Sequence, residues 1–245
     1  YDGAVRAPWL LSVATAFVLL GASIAAFLNP VWVGFEQARV GSAQLVGTCE
    51  STVTGMTNQI LAELILGGSF EDVRPPNDSS ARCRVSSSGD LALAPAEASH
   101  MRDVRGVFAG FGLLVLVSLV WVVVTWRRSR ADRTAWWRAV RTGAAGLAVV
   151  LAALGAISLV AFDAAFEVFH ELFFAKGTYS FDPATSRLIQ LFPDQFWSDT
   201  TLALGAFAII LALATAWLAT RRIAAAPGMP ARTGATLPVG RAARP

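Results

Sequence analysis

Four stretches of the chain run for about 20 residues with almost no charged side chain, the length that carries an α-helix across the hydrocarbon core of a bilayer. They predict membrane spans at 9–29, 106–126, 143–165 and 200–220. Trp9, Trp32, Trp121, Trp126, Trp197 and Trp217 fall near the ends of these runs, where interfacial anchors sit. Past the third uncharged core the pattern changes without a break signal. At about 100° per residue, Phe162, Phe166, Phe169 and Phe173 form one helical stripe, and Asp163, Glu167 and His170 form its neighbour.

The segment between the first two spans, 31–104, has weaker periodicity. Met56 to Leu66 predicts a short helix, with Gly67 and Gly68 as its stop. Trp32 to Val40 and Arg82 to Ser86 predict short strands, and Pro75–Asp78 and Ser86–Asp90 predict turns. Ser99 reads as the N-cap of the helix that carries the second span. The expected fold is an all-α membrane protein of four transmembrane helices with a small extracytoplasmic cap. Its parts are a first transmembrane helix (1–30), the cap (31–104), a three-helix membrane region (105–224) with an outer loop at 163–198, and a disordered cytoplasmic tail (225–245) rich in Ala, Pro, Gly and Arg.

Composition agrees. The chain is 55% hydrophobic and 15% charged, too apolar for a soluble domain of 245 residues. The run 8–33 exceeds a signal peptide's apolar region, so it reads as an uncleaved anchor. The positive charge is mostly arginine and flanks apolar runs, which argues against a nucleic-acid partner. Arg127, Arg128, Arg130, Arg133, Arg138 and Arg141 cluster between spans two and three, and Arg221, Arg222, Arg232, Arg241 and Arg244 follow span four. Both clusters belong on the cytoplasmic side by the positive-inside rule, and the acid-rich 163–198 and the cap belong outside. Cys49 and Cys83 both lie in the cap, an even pair on an oxidising side, and form a candidate disulfide.

Candidate chemistry centres on the two histidines of the chain, His100 and His170. One precedes span two and the other follows the uncharged core of span three, so both lie on the outer side. A neutral imidazole accepts at one nitrogen and donates at the other, and a pair can divide base and acid roles. Asp103 stands one turn beyond His100 and Glu167 one turn before His170, each able to orient its histidine; Asp163 is a further supporting acid. Phe166, Phe169 and Phe173 would contact lipid or an acyl chain. The chain holds no Gly-x-Ser-x-Gly, P-loop, Gly-x-Gly-x-x-Gly or His-Glu-x-x-His pattern, so acid–base chemistry fits better than a covalent enzyme intermediate. These residues predict neither a cofactor nor a metal centre.

Ser99-His100-Met101-Arg102-Asp103-Val104 and Phe169-His170-Glu171-Leu172-Phe173-Phe174 resemble the motifs of the lipoprotein intramolecular transacylase family. The resemblance continues through Phe181-Asp182, Leu188-Ile189-Gln190-Leu191-Phe192-Pro193 and Gln195-Phe196-Trp197-Ser198-Asp199. It is strong over 99–199, rests on topology and the 56–66 helix over 9–98, and is absent from the tail. It implies a multi-pass protein of the bacterial cytoplasmic membrane with its site on the extracytoplasmic side. The implied reaction moves the sn-2 acyl chain of a diacylglyceryl lipoprotein to that lipoprotein's N-terminal cysteine amine, giving the lyso-form. The implied catalytic residues are His100 and His170, one as base and the other stabilising the oxyanion or protonating the departing oxygen; the implied partners are the lipoprotein and membrane lipids. Other readings are a non-enzymatic membrane binding or assembly protein, a bis-His haem or metal binding protein, and an acyl hydrolase.

Overall fold

Helix α1 (Pro8–Phe27) begins with a proline in its first turn and is apolar on all sides. It packs against three further long helices, α5 (Pro95–Arg128), α6 (Arg133–Phe173) and α8 (Asp194–Ala224), and α6 in turn packs along α8. The computed structural model describes residues 7–76, 83, 92–130 and 133–226, and every regular element among them is helical. These four helices are long and apolar enough to cross a membrane, as the sequence predicts. Between them run α2 (Pro30–Val40), α3 (Ser42–Val46), α4 (Glu50–Leu66), a single 3-10 turn at Phe70–Asp72, and α7 (Arg187–Leu191).

Small side chains set the spacing of the bundle. Leu11 meets Trp136, Ala139, Val140 and Ala219, and further along Leu19 meets Ala144, Leu147, Ala148 and Ala212. Small residues let helix backbones approach closely, the usual basis of association within lipid. Gly143 is the tightest point, where an added Cβ would lie 2.1 Å from the Ser12 carbonyl oxygen. Ser12 fastens the same crossing, donating from Oγ to the Ala139 carbonyl at 2.9 Å. Gly143→Ala is therefore expected to destabilise the bundle by about 1–3 kcal/mol, the usual range for overpacking. A lowered thermal midpoint in detergent checks this, and an unchanged midpoint would mean that α1 and α6 lie further apart.

The outer faces are apolar as well: Leu113, Leu116, Val149, Leu159, Val160, Ile210 and Leu213 are all exposed. A helix bundle apolar inside and out is one whose solvent is lipid. At the arginine-rich end Trp126, Trp136 and Trp137 stack edge to face, with the Arg133 guanidinium 3.5 Å from the Trp126 ring centre. The Trp136 indole N–H donates to Thr125 Oγ1 at 3.1 Å, tying α6 to α5.

The cap departs from expectation at its start. Trp32–Val40 is not a strand but most of α2. Asn29 accepts from the amides of Val31 and Trp32, and Pro30 occupies the first turn. That start signal outweighs the β-preference of Trp32, Val33 and Phe35. Gly41, at φ 75°, ends α2 in the left-handed conformation that glycine adopts most easily, and the chain turns into α3. The predicted 56–66 helix is the C-terminal part of α4, which stops at Gly67. Ser99 is also not an N-cap. α5 starts earlier, at Pro95, with Ala94 in the cap position, so Ser99 and His100 lie inside the helix. The predicted strand at 82–86, apart from Cys83, the turn at 86–90 and residues 227–245 of the tail lie outside the described residues.

Cys49 and Cys83 are disulfide-bonded, and the hydroxyls of Thr48 and Thr52 donate to the Cys83 carbonyl at 2.8 and 3.2 Å. The cap core gathers Val53, Met56, Ile60, Phe70, Val73, Leu93, Ala98, Met101 and Leu191. A buried polar node joins its pieces. Gln37 donates to the Leu191 carbonyl at 2.9 Å and accepts from Thr57 at 3.0 Å, while Ser42 donates to the same carbonyl at 3.0 Å. Arg39 pairs with the buried Glu36 and with Asp199, which ties α2 to α8. These contacts seat the cap on the end of the bundle where both histidines lie.

Candidate active site

His100 stands on the second turn of α5, six residues into the helix. His170 stands near the end of α6, beyond Ala161, whose φ −145°, ψ 54° interrupts the helix. That kink separates the apolar span from the Phe-rich end and lets the end take its own direction. The two imidazoles face each other, ring centres 6.1 Å apart and planes within 26°. Only 7% of His100 and 9% of His170 is exposed.

Aromatic rings enclose the pair. Phe166 lies 4.2 Å and Tyr179 5.0 Å from His170, while Phe174 lies 4.9 Å and Phe181 5.8 Å from His100. Such walls lower the local dielectric and exclude water, which strengthens any charge or hydrogen bond formed between them.

The hydrogen bonds distinguish the two rings. His170 Nδ1 lies 2.8 Å from the Phe166 carbonyl oxygen. A carbonyl only accepts, so Nδ1 carries the hydrogen and Nε2 of the neutral ring is an acceptor. His100 Nδ1 is buried with no partner among the described residues. A buried N–H without an acceptor is rarer than an under-used acceptor, so the hydrogen of neutral His100 belongs on Nε2. One ring presents a lone pair and the other an N–H.

The acids do not orient the histidines by hydrogen bonds. Asp103 and Asp163 are exposed, and Glu167 instead accepts from the Tyr179 hydroxyl at 3.2 Å. Desolvation raises the Tyr179 pKa above its ordinary value, and the bond to Glu167 and the charges of Glu167 and Glu171 add to that. Of the Phe stripe, Phe166 turns inward to His170 and to Trp197, at 6.3 Å, while Phe169 and Phe173 are each 47% exposed beside Val168 and Leu172. Among the described residues no group of three or more His, Cys, Asp or Glu side chains could hold a metal ion. A groove of about 420 Å³ lined by Leu28, Leu64–Gly67, Arg105, Phe108 and Ala109 includes neither histidine.

Sequence reasoning missed Glu97. It is 2% exposed and accepts from three donors: Ser186 Oγ at 2.5 Å, the Leu188 amide at 3.0 Å and the Ala94 amide at 2.6 Å. A signal was available, since Glu97 lies in the first turn after Pro95 and one turn before His100. Tyr179, Phe174 and Phe181 were also without an assigned role, because their approach to the histidines depends on the irregular path of 174–186.

Residues 9–197 match the family described as lipoprotein intramolecular transacylase Lit. The fold is similar to the membrane-integral lipoprotein intramolecular transacylase Lit of Bacillus cereus, with TM-score 0.69 and 15% identity over 89% of this chain and 94% of that one. Structures of the Bacillus cereus protein with one histidine replaced by arginine or by alanine match with TM-scores of 0.66 and 0.65, also at 15% identity. They align with 89% and 87% of this chain, and with 90% of theirs. An uncharacterised protein of Aquifex aeolicus (strain VF5) is 28% identical over 117 residues, 46% of this chain. The chain spans about half the length, 50%, of that curated relative.

Proposed function

The chain belongs to the lipoprotein intramolecular transacylase family, and from that premise we propose that it moves the sn-2 acyl chain of a diacylglyceryl lipoprotein onto the α-amine of the lipoprotein's N-terminal cysteine. The observation that carries this reading is the buried pair of facing imidazoles, one of them fixed by the Phe166 carbonyl at Nδ1. His170 Nε2 takes a proton from the attacking amine. Its Nδ1–H stays bonded to the Phe166 carbonyl, which supports the imidazolium that forms. His100 Nε2–H donates to the oxyanion of the tetrahedral intermediate. The new C–N amide bond forms, the ester C–O bond breaks, and His170 returns the proton to the departing sn-2 oxygen. No water is consumed and no net proton is released.

Both reacting groups belong to one molecule, so holding the amine against the ester carbonyl supplies much of the acceleration. The rings around the pair exclude the water that would divert the reaction to hydrolysis. In this reading the substrate and the surrounding membrane lipids are the partners, and nucleic acid is not one. The site faces the extracytoplasmic side of a bacterial cytoplasmic membrane, opposite the arginines of 127–141. Phe169 and Phe173 then border the acyl chains of the outer leaflet.

Mass balance tests the proposal. Purified protein incubated with a diacylglyceryl lipopeptide should yield a product of unchanged mass, because acyl transfer within one molecule is an isomerisation. Fragmentation should then place one acyl chain on the cysteine nitrogen. Loss of one acyl mass with free fatty acid would instead identify a hydrolase.

A further inference from the structure

We propose that Glu97 is a positioning residue for the histidine pair: through Ser186 and the Leu188 amide it anchors the 174–186 connection that holds Phe181 and Tyr179 against the two imidazoles. Its catalytic consequence rests on the acyl-transfer reading above. A glutamate in the first turn of a helix commonly caps a free backbone amide while its other oxygen stays in water. Glu97 does cap the Ala94 amide, yet it is almost fully buried, and its second oxygen accepts both donors from the start of α7. Burying a carboxyl group is costly unless its lone pairs find donors. Capping α5 alone would not require that burial; joining α5 to α7 does.

The geometry says what the junction holds. Residues 174–186 contain only short turns, such as those in which the Thr185 and Ser186 amides donate to the Asp182 carbonyl at 3.1 and 2.8 Å. The course of this connection is therefore set at its ends. At one end the Phe174 amide donates to the His170 carbonyl at 2.8 Å. At the other, Ser186 is 6% exposed and held by Glu97, one turn of α5 from His100. The same carboxyl group thus fixes the α5 turn that leads to one histidine and the connection that packs on both. The far end of α7 is held separately, by Gln37 and Ser42 on the Leu191 carbonyl.

Two readouts on the full-length protein test the anchor. Hydrogen exchange should rise by about tenfold at the amides of 185–190 in Glu97→Ala, where buried donors lose their acceptor, with α1 and α8 unchanged. In the same variant kcat should fall by roughly 10–100-fold from misplacement of the pair, with KM unchanged. Glu97→Gln keeps an acceptor oxygen toward Ser186 and Leu188 but turns its NH2 toward the Ala94 amide, so it should recover the exchange protection at 185–190 and part of the kcat loss. Ser186→Ala should show part of the effect and add little to Glu97→Ala. Unchanged exchange at 185–190, or a rise spread evenly over the chain, would overturn the anchor. A wild-type kcat in Glu97→Ala despite local loosening would overturn its role in positioning. If the wild-type protein makes no lyso-form, the acyl-transfer reading fails, and the exchange arm still decides the anchor by itself.

Discussion

His170→Ala is expected to lower lyso-form production by about 10²–10⁴-fold, the usual contribution of a positioned acid–base group. The protein should still fold, because His170 lies beyond the Ala161 kink and outside the small-residue contacts that hold α6 against α1 and α8. His100→Ala should cost about 10²–10³-fold, as removal of one oxyanion donor does. Replacement by glutamine separates the two roles. A glutamine amide can donate to an oxyanion but cannot take a proton from an amine. His100→Gln should therefore retain more activity than His170→Gln when initial rates are compared on one lipopeptide. The reverse order would exchange the roles of the two rings, and full activity in both variants would reject the acid–base mechanism.

The second large effect is on stability. Opening the Cys49–Cys83 bond, by Cys83→Ser or by reduction, is expected to cost about 3–4 kcal/mol on the chain-entropy model for a link across 34 residues. The cap should loosen first, because the bond holds Cys83 to the start of α4, where the hydroxyls of Thr48 and Thr52 donate to its carbonyl. The transmembrane contacts of α1, α6 and α8 do not involve either cysteine and should persist. Thermal unfolding in detergent, with and without reductant, would show an early transition confined to the reduced protein. Identical curves would mean that the bond contributes nothing to stability. A membrane-impermeant reductant applied to intact cells would also place the cap: access to the bond supports an extracytoplasmic cap, and protection argues for the opposite orientation.

The membrane helices were easy to read because lipid leaves little choice. A run of about 20 uncharged apolar residues must satisfy its backbone internally, which makes it a helix whatever packs beside it. The nearness of His100 to His170 was readable for a related reason: one precedes an apolar run and the other follows the next, antiparallel one, so topology alone put them at one end of the bundle. The cap obeyed subtler rules. Trp32 to Val40 carries β-favouring side chains, and only the Asn29-Pro30 start signal reveals a helix. Pro95 gives α5 its start in the same way, and it displaced Ser99 from the cap position.

The surroundings of the histidines were harder. Spacing of one turn pairs Asp103 with His100 and Glu167 with His170, but spacing does not say where a side chain points. The Phe166 carbonyl, four residues before His170, reaches Nδ1 without any side-chain partner, and Glu167 is taken by Tyr179 from another part of the chain. Glu97 finds its partners about 90 residues away, at Ser186 and Leu188, in a connection without periodicity. Contacts of that kind are made by tertiary packing, and local pattern carries little trace of them.

The most direct measurement is made in cells. The chain is expressed in a bacterial host whose lipoproteins are diacylated, and the N-terminal lipopeptide of an abundant lipoprotein is fragmented by mass spectrometry, beside a strain expressing the double variant His100→Ala/His170→Ala. Wild-type protein should convert the lipopeptide to the N-acyl, S-monoacylglyceryl form, and the double variant should leave it diacylglyceryl with a free amine. A free amine in both strains, or N-acylation in both, would contradict transfer by the histidine pair.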